Sequence, residues 1–426
     1  MKQFKNILVL VYAFPPIPYS GTYRILRLCR NLPKLGFKVN VMTIPIDKAI
    51  PNDYRLLNHV PDDVAVFRTK IFDPWLRYQQ WKSDHVDSSG YKYINKIVSL
   101  FFRLIFIPDH QIFWIPTAVL KAKKIIDQHQ IKTLFVSSPP TSTLLTGVIL
   151  KKMTKIRFVA DLRDPIVGNI AQTNLINPKD IISRFEKKVL MWIERLVVKN
   201  ADLVITNTES HRKEMTRNYN SEKFPTVRNS FEESDYHGIN REKYDQFTIS
   251  HTGAMYGNRN ANILFDAIKS LEQKVLPTKL NLQVVFVGSV DDSVMKAIKK
   301  YGVEKYVLIK GRVSHKEAIE IMVKSHLLLL VKATGEGSLG QIPAKFFEYL
   351  GAQSKIFFIG PKMSEVASIM KELENDYVFE NDKNELCRAL QHEYDLYLNG
   401  LNKDCELPNI REFSSLRMSE KIATYL

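Results

Sequence analysis

Three cysteines in 426 residues are too few and too scattered for a disulfide framework or a zinc site. Cys29, Cys387 and Cys405 show no ligand spacing, which fits an intracellular, reducing setting. The patterns of a P-loop, a GxSxG elbow, an HExxH metal site and a CxxC pair are all missing. No Asp-x-Asp follows a predicted strand, so we expect neither a metal cofactor nor a metal-bridged diphosphate.

No hydrophobic run reaches the ~18 residues that a membrane-spanning helix needs. The nearest, residues 97–108, is too short and contains Arg103. The apolar run from Ile7 to Phe14 stops at two prolines, and no small-residue cleavage site follows. We therefore interpret this run as a first β-strand rather than a signal peptide, and we expect a cytoplasmic protein.

The net charge of +16 predicts either an anionic partner or a solvated, lysine-rich surface. Nucleic acid, anionic lipid and a phosphorylated substrate are the anionic partners to consider. The sequence has no long block of consecutive basic residues, no helix-turn-helix signature and no RNP motif, which argues against nucleic-acid binding.

Short β-branched runs alternate with helical patterns along the chain, which predicts βαβ units and parallel sheets. The expected strands are 7–12, 38–43, 64–69, 133–137, 157–161 and 203–206 and, after a polar stretch at 230–245, 247–251, 282–287, 306–310, 327–331 and 356–359. We therefore predict an α/β protein with two Rossmann-like, doubly wound domains, residues 1–229 and 230–410, which face each other across a cleft.

The segment GEGSLGQIPAKFFEYLGAQSKIFFIGP, residues 335–361, is typical of a glycine-rich loop, a helix and a buried strand. Pro343 suits a helix start, because its missing N–H would be unpaired there. The free amides and positive dipole of a helix start favour a phosphate, and Lys345 adds a cation. Glu348, about one turn further on, can accept hydrogen bonds from two ribose hydroxyls. Together these residues predict a nucleotide-diphosphate site.

Groups that follow strands are expected at the ligand-binding edge of an α/β sheet. In the first half of the chain these groups are Gly21, Ser137, Ser138, Asp161, Arg163 and Asp164. The glycine indicates either a phosphate-facing turn or a plain tight turn. The serines are candidates to face substrate. The two aspartates suggest a general base or hydroxyl-binding groups or, equally well, an internal salt bridge centred on Arg163.

Further candidates follow strands in the second half. Gly253 allows the backbone to approach a ligand closely. Arg259 lies at a predicted helix start, where a cation is unfavourable without an anion, and it can clamp a diphosphate. A predicted capping box leaves Gly311, Arg312 and Val313 able to contact a base edge, although a plain capped helix is the alternative.

These residues, in this order, resemble glycosyltransferase family 4, the retaining GT-B transferases that use nucleotide sugars. The resemblance covers nearly the whole chain and includes FPPIPYSGTYR, IPDHQIFW, SSPPTS, DLRDP, ADLVITNT, VRNSF, HTGAMYGNRN, KGRVSHKEA and IPAKFFEYLGA. It is closest to the branch that builds bacterial capsule, O-antigen and exopolysaccharide. It implies an N-terminal acceptor-binding domain, a C-terminal nucleotide-sugar-binding domain, and a last helix, about 411–426, that returns to the first domain.

The resemblance also implies roles for individual residues. Gly21 would lie beneath the donor phosphates and the transferred sugar. Arg259 takes the place of the family's phosphate-binding lysine, and Glu348 that of the ribose-binding glutamate of the E-x7-E motif. The segment 311–313 resembles the one that meets the nucleobase.

The sequence departs from the family pattern at three positions. The first glutamate of E-x7-E falls at Gly340, so its sugar contact is absent or supplied by another group. The family's usual arginine after the glycine of the second domain's first strand falls at Ala254. Pro343 removes one N–H from the phosphate-binding helix start, for which Lys345 can compensate.

The expected reaction is a retaining, metal-independent hexosyl transfer to a saccharide or lipid-linked acceptor of a surface polysaccharide. Arg259, Lys345 and the amides near Ile342 to Lys345 would stabilise charge on the leaving phosphate, and Gln341 and Ile342 are expected to bind the donor. The alternative enzyme is a nucleotide-sugar epimerase or hydrolase of the same fold, which the loss at Gly340 favours slightly. The alternative from another class is a nucleic-acid-binding protein.

Residues 91–114 are dense in aromatic and large aliphatic side chains and also carry Lys92, Lys96 and Arg103. Their spacing predicts a helix with one apolar face. Such a helix either packs on the N-terminal sheet or lies on the anionic inner face of the plasma membrane, near a lipid-linked acceptor.

Overall fold

Two six-stranded parallel sheets organise the part of the chain that the computed structural model describes, residues 5–47, 50–71, 74, 77, 105–167, 181–256, 259, 261–274, 280–332, 339–380, 382–401 and 407–426. The chain divides into two units, residues 1–228 with 418–426, and residues 229–417. The division falls one residue before the expected boundary, and the final segment changes unit at Met418 rather than near residue 411.

The first unit contains the following elements in chain order: β1 (Lys5–Leu10), α1 (Ser20–Asn31), β2 (Phe37–Thr43), β3 (Ala65–Arg68), α2 (Ile115–His129), β4 (Thr133–Ser138), α3 (Thr141–Thr154), β5 (Arg157–Leu162), α4 (Ile181–Asn200), β6 (Leu203–Thr206) and α5 (Glu209–Tyr219). The strand order in the sheet is β3-β2-β1-β4-β5-β6, and every neighbouring pair is parallel.

The second unit contains β7 (Phe247–Thr252), α6 (Asn262–Lys274), β8 (Leu282–Val287), α7 (Asp292–Tyr301), β9 (Val307–Gly311), α8 (His315–Lys324), β10 (Leu327–Val331), α9 (Ala344–Ala352), β11 (Lys355–Ile359), α10 (Glu365–Glu372), β12 (Val378–Phe379) and α11 (Lys383–Leu398). Its strand order is β12-β11-β10-β7-β8-β9, again parallel throughout. A final helix, α12 (Ser415–Ala423), ends the described chain.

Both sheets have the same winding, in which the chain order reverses once. The reversal lies between β1 and β4 in the first sheet and between β7 and β10 in the second. Ligands of open α/β sheets bind beyond the carboxyl ends of the strands at such a reversal point. The predicted α/β class with doubly wound parallel-sheet domains is confirmed, and the topology indicates where each unit offers a site.

The inner strands of both sheets are largely buried, whereas the edge strands β3 and β9 are partly exposed. β10, with the sequence LLLLV, shows the uninterrupted apolar run that a central parallel strand favours. β7, with the sequence FTISHT, is equally buried although four of its six residues are polar. Buried polar groups are tolerated only with hydrogen-bond partners, which makes β7 the strand to inspect for function.

Helix α12 contributes to the core of the first unit. Met418 and Ile422 pack in one apolar cluster with Ile25 and Leu28 of α1. The residues from Met418 onward therefore belong to the first sheet's outer layer, although they lie at the end of the chain.

Candidate functional site

A cavity of about 370 Å³ lies in the first unit beyond the carboxyl ends of β1 and β4. This is the reversal point of the sheet, where the topology favours a ligand. The polar side chains that line the cavity are Tyr12, Tyr19, Ser20, Asp109, His110, Gln111, Ser137, Thr141 and Arg163. Hydroxyl, carboxylate, amide and guanidinium groups in one cavity of this size suit a saccharide-sized, hydroxyl-rich ligand.

Gly21 and Arg163 meet at the wall of this cavity. A Cβ atom on Gly21 would lie 2.1 Å from Arg163 Nη1, so glycine leaves room for the guanidinium. Arg163 Nε donates to the carbonyl of Ser138 at 3.1 Å, and Nη2 donates to that of Pro139 at 3.1 Å. Burial lowers the pKa of Arg163, while the Asp164 carboxylate opposes the shift. A role for Gly21 beneath the donor phosphates stays a prediction.

Asp161 is fully buried in an internal ion pair. Arg24 Nη2 and Nε donate to its two carboxylate oxygens at 2.9 and 3.2 Å, and Ser137 Oγ donates to Oδ2 at 2.7 Å. The other guanidinium hydrogens reach the carbonyls of Val227 and Arg228, each at 3.0 Å. The salt-bridge alternative therefore describes Asp161, and the Ser137 hydroxyl is used within the same network.

The centre of that ion pair is Arg24, not Arg163 as we expected. Ser138 is buried, and its carbonyl serves Arg163. Asp164 is half-buried; burial raises the pKa of its carboxyl, and the Arg163 guanidinium opposes the rise. A raised pKa brings a carboxyl closer to the range of a general base. Of the two predicted aspartates, Asp164 therefore keeps the more suitable chemistry.

Asp109 and His110 also line the cavity, although we did not predict them as site residues. Asp109 Oδ2 accepts a hydrogen bond from Ser142 N at 2.9 Å, so this carboxylate caps α3 from a distant segment. Burial raises the pKa of Asp109. His110 Nε2 lies 2.6 Å from Gln111 Nε2. The available signal was the IPDHQIFW stretch, in which an acid and a histidine stand together among apolar residues.

In the second unit, a glycine with positive φ stands at the carboxyl end of each of three neighbouring strands, β7, β8 and β9. Gly253, Gly288 and Gly311 have φ values of 130°, 124° and 67°. Gly253 N donates to Val287 O at 2.7 Å, and Gly288 N donates to Gly311 O at 2.6 Å. These positions carry no side chain, so a ligand can approach the main chain closely. Gly288 was missed; the FVGS stretch after an apolar run was the signal.

Two cations converge on the Gly253 end of this edge. Arg259 Nη1 donates to Ala254 O at 2.9 Å. A Cβ atom on Gly253 would lie 3.8 Å from Lys345 Cγ, so the first turn of α9 reaches the same point. Both cations lower the pKa of His251 by their charge. The structure therefore brings Gly253, Arg259 and Lys345 together, as a diphosphate site requires.

Helix α9 is fixed at this edge by a buried tyrosine. Tyr349 accepts a hydrogen bond from Thr252 N at 2.9 Å and donates to Leu329 O at 3.2 Å, which ties α9 to β7 and β10. Pro343 is the N-cap residue rather than the first helical residue, and it provides no side-chain cap. The amides at the helix start, including that of Lys345, are therefore suited to an anion.

The residues before α9 are held by Lys332, which we did not predict. Its Nζ donates to the carbonyls of Leu339 at 3.3 Å and Gln341 at 2.5 Å, and burial lowers its pKa to about 8. Ile342 is half-buried and packs against the apolar cluster beneath α9. A lysine directly after the LLLLV strand was the signal. Gly335 and Gly337 lie outside the described residues.

Lys345 and Glu348 form an ion pair on α9, with Nζ and Oε2 2.7 Å apart. The predicted phosphate cation and the predicted ribose carboxylate are thus direct partners. The main-chain carbonyl of Glu348 accepts a hydrogen bond from Tyr236 at 2.7 Å, which supports the backbone of the helix. Both ligand roles stay predictions.

The segment after β9 has half of the expected capping box. Ser314 Oγ accepts a hydrogen bond from Glu317 N at 3.2 Å, which caps α8. The Glu317 carboxylate instead lies 3.4 Å from Lys310. Arg312 is exposed and Val313 half-buried. Contact of this segment with a nucleobase stays a prediction.

Two further properties concern the described residues only. No group of three or more His, Cys, Asp or Glu side chains in that part of the chain is placed to hold a metal ion. None of the described helices is both long and apolar enough to cross a membrane. Most of the predicted 91–114 helix, residues 91–104, lies outside the described residues. Phe106 and Trp114, near its end, are buried.

The same chain organisation occurs in solved structures over almost the entire length. Anabaena HepE, solved in complex with UDP, is 13% identical with a TM-score of 0.62, and the match covers 99% of each chain. Sucrose-phosphate synthase from Thermosynechococcus elongatus is 10% identical with a TM-score of 0.62, covering 99% of this chain and 98% of that one. TarM from S. aureus is 10% identical with a TM-score of 0.61, covering 99% of each chain. Two doubly wound parallel-sheet units together with these relatives define the GT-B fold.

Residues 21–229, just under half of the chain, match the family described as "Glycosyl transferase 4-like domain". No curated protein sequence matches the chain significantly. The predicted resemblance is confirmed at this level: residues 21–229 match this glycosyl transferase 4-like domain, and the chain shares the GT-B fold with the solved structures.

Proposed function

We propose that this protein is a glycosyltransferase that moves a sugar, with retention, from a nucleotide-diphosphate sugar to a saccharide or lipid-linked acceptor in surface-polysaccharide synthesis. The observation that carries the proposal is the convergence of Arg259, Lys345 and the open N-terminus of α9 on Gly253, at the reversal point of the second sheet. Two cations and free amides match the charge and geometry of a diphosphate.

Departure of the nucleoside diphosphate places negative charge on its outer phosphate. Arg259, Lys345 and the amides of the α9 start would stabilise that charge, which is the largest single contribution that an active site of this kind can make. Retention follows if the acceptor arrives on the face that the leaving group occupies. The leaving phosphate then takes the acceptor's proton, so no protein nucleophile is required and we propose that no metal is needed.

We assign the acceptor to the cavity of the first unit. Asp164 is not among the residues that line this cavity but directly follows Arg163, which does; burial raises the pKa of the Asp164 carboxyl, whereas Asp161 is committed to Arg24. Asp109 and His110 add hydrogen-bonding groups at the cavity wall. A saccharide hydroxyl pairs well with such groups, because a hydroxyl can donate to a carboxylate and can either donate to or accept from an imidazole.

The solved relatives support the donor class and a saccharide-related acceptor. HepE was crystallised with UDP-glucose, and TarM with UDP and α-GlcNAc-glycerol. WaaB is described as a lipopolysaccharide outer-core galactosyltransferase. At the low identities involved, these names guide the choice of substrates to test and leave the sugar, base and acceptor of this protein to experiment.

The experiment is a mass-spectrometric screen of UDP-, GDP- and dTDP-sugars, with and without saccharide acceptors. A transferase requires acceptor for rapid turnover, whereas fast breakdown or epimerisation of the donor alone would favour the nucleotide-sugar epimerase or hydrolase. Arg259→Ala and Lys345→Ala should each lower turnover roughly 100-fold or more, the scale of one lost transition-state donor. Lys371→Ala, an exposed cation on α10, is the matched control. Activity that disappears with EDTA and returns with Mg²⁺ or Mn²⁺ would contradict metal independence.

We further propose that the enzyme works in the cytoplasm and binds the inner face of the plasma membrane reversibly. The support is the +16 net charge and the aromatic, basic composition of residues 91–114. Basic residues near an anionic surface each contribute ~1 kcal/mol, so a handful suffices for reversible binding. The protein should sediment with phosphatidylglycerol vesicles at low salt and be released at high salt. A protein that stays in solution at low ionic strength would contradict this part.

A further inference from the structure

His251 lies at the carboxyl end of β7. Among the described residues, one of its two ring nitrogens has a hydrogen-bond partner and the other has none. The residue is only 3% exposed. Its Nδ1 lies 2.8 Å from the carbonyl oxygen of Leu329. A carbonyl can only accept, so the proton of the neutral ring is on Nδ1 and Nε2 carries a lone pair. That Nε2 is buried and has no hydrogen-bond partner among the described residues.

The ring faces the proposed diphosphate site. A Cβ atom on Gly253 would lie 3.8 Å from His251 Nε2 and equally far from Lys345 Cγ, so the three groups meet at one point. Arg259 reaches the same turn through its hydrogen bond to Ala254 O. An orphaned nitrogen is therefore buried directly behind the two cations that we assign to phosphate.

Opposing influences act on the protonation of this ring. The pKa of His251 is lowered to about 4; burial is the largest cause, and the charges of Arg259 and Lys345 also lower it. The carbonyls of Leu329 and Ala254 act in the other direction, because each can accept an N–H from the cationic ring.

Two further groups complete the charged and titratable surroundings. The Glu348 carboxylate pairs with Lys345, and the Tyr349 hydroxyl shares the carbonyl of Leu329 with His251. Burial raises the pKa of Tyr349 to about 12, so its hydroxyl stays neutral. Among the described residues, the repulsion on a cationic His251 that an anionic ligand can remove is that of Arg259 and Lys345.

We propose that His251 takes up a proton when the diphosphate of a nucleotide sugar binds at Arg259 and Lys345. This inference rests on the proposed function and adds a third positive charge to the proposed diphosphate site. Two negative phosphate charges offset the two cations, after which the imidazolium can donate from Nδ1 to Leu329 and from Nε2 to Ala254. The solvent supplies the proton. A third positive charge then lies behind the phosphates, where it stabilises the charge that develops as the sugar leaves.

Proton uptake makes donor affinity depend on pH. Between the pKa of His251 in the complex and that in the free protein, affinity should rise by as much as tenfold for each unit that pH falls. The free value of about 4 sets the lower end of this window. A merely structural histidine would not produce this dependence.

The test is titration calorimetry at pH 6 in two buffers with different ionisation enthalpies, which together count the protons taken up. The probes are UDP-glucose, GDP-mannose and dTDP-glucose. Their phosphates are diesters and do not titrate near pH 6, unlike a terminal phosphate. Wild-type protein should take up roughly half to one proton with the nucleotide sugar that binds.

Two matched variants assign the proton. His251→Asn keeps an N–H for Leu329 but removes Nε2, so binding should proceed without proton uptake. His326→Asn is the control, because His326 is a buried histidine of the same unit whose pKa is also lowered to about 4. It lies near Lys243 rather than the diphosphate site, and its Nδ1 accepts from Thr248 N. Uptake should persist in this control.

The outcomes separate this inference from the proposed function. Donor binding with no proton uptake, or uptake that persists in His251→Asn, overturns the role of His251 and leaves the transferase intact. Failure of every nucleotide sugar to bind wild-type protein overturns both. If His251→Asn does not fold, the ring nitrogens of wild-type His251 decide by NMR: they should be those of a neutral ring at pH 6 and of a cation once donor is bound.

Discussion

Removal of Arg24 should destabilise the first unit strongly, because it leaves a buried charge without its partner. Arg24 is 1% exposed and Asp161 is 0% exposed. Arg24→Met removes both hydrogen bonds to the carboxylate and those to the carbonyls of Val227 and Arg228. Among the described residues, Ser137 is then the remaining hydrogen-bond donor to Asp161. Breaking one side of a buried pair costs about 3–5 kcal/mol, a large share of the 5–15 kcal/mol that folded domains possess.

The unfolding free energy should recover when the second charge, that of Asp161, is also removed. Arg24→Met combined with Asp161→Leu replaces the pair with apolar groups of similar volume, an exchange that is often neutral. Urea denaturation followed by circular dichroism and tryptophan fluorescence measures the unfolding free energy of each variant. Lys123→Ala is the surface control: it breaks the exposed pair with Asp127 and should change stability by less than about 1 kcal/mol.

The reasoning is refuted if Arg24→Met loses less than about 1 kcal/mol, the range of an exposed pair. It is also refuted if the double variant loses the sum of the two single losses. That sum would mean that the two charges act independently. The double variant also bears on chemistry: if it folds and keeps turnover, Asp161 is not the catalytic base.

Three further predictions follow from the second unit. Glu348→Gln should weaken nucleoside-diphosphate binding about tenfold or more by calorimetry, since a charged hydrogen bond contributes about 1.5–3 kcal/mol; unchanged affinity would leave Glu348 as the ion-pair partner of Lys345 alone. Folding stability should fall as pH drops from about 6.5 to 4, because the unfolded state binds a proton that buried His326 does not. The pKa difference corresponds to about 3 kcal/mol of unfolding free energy. His326→Asn should lack this contribution to the pH dependence when denaturation is compared at pH 7 and 4.5. Gly288→Ala should destabilise more than Gly302→Ala by the same assay, because its Cβ would lie 2.4 Å from Gly253 O whereas Gly302 has open space; equal losses would show that only the positive φ matters.

Most central strands were predictable because a parallel strand buried on both faces favours a nearly continuous apolar run, although β7 buries four polar residues. The predicted bounds of β6, β8 and β10 equal the observed ones, eight other strands differ by one or two residues at one or both ends, and β12 was not predicted. Helix α5 could not be predicted from an apolar pattern, because its sequence is almost entirely polar and it buries only His211 and Met215. Two buried side chains give no clear helical period, and the element depends on tertiary contacts.

Partners within the site could not be predicted in the same way. Asp161, Arg163 and Asp164 are adjacent in sequence, so Arg163 was the natural centre for a salt bridge. The actual partner, Arg24, belongs to α1 and reaches Asp161 because β1 and β5 flank β4. Sequence spacing carries no information on such a contact until the strand order is known.

Glycines were the better guide to the site, for a reason that the structure makes physical. Gly253 was predicted because a strand end without a side chain admits a ligand, and its neighbours prove to be two cations, a helix start and a buried histidine. His251 carries no such signal in the sequence, because a buried histidine is usually a satisfied core residue. Its unsatisfied Nε2 is visible only once Leu329 is seen to hold Nδ1. Gly253 therefore located the site from the sequence. The unsatisfied Nε2 of His251, which only the structure reveals, is the basis for proposing that this ring takes up a proton when the donor binds.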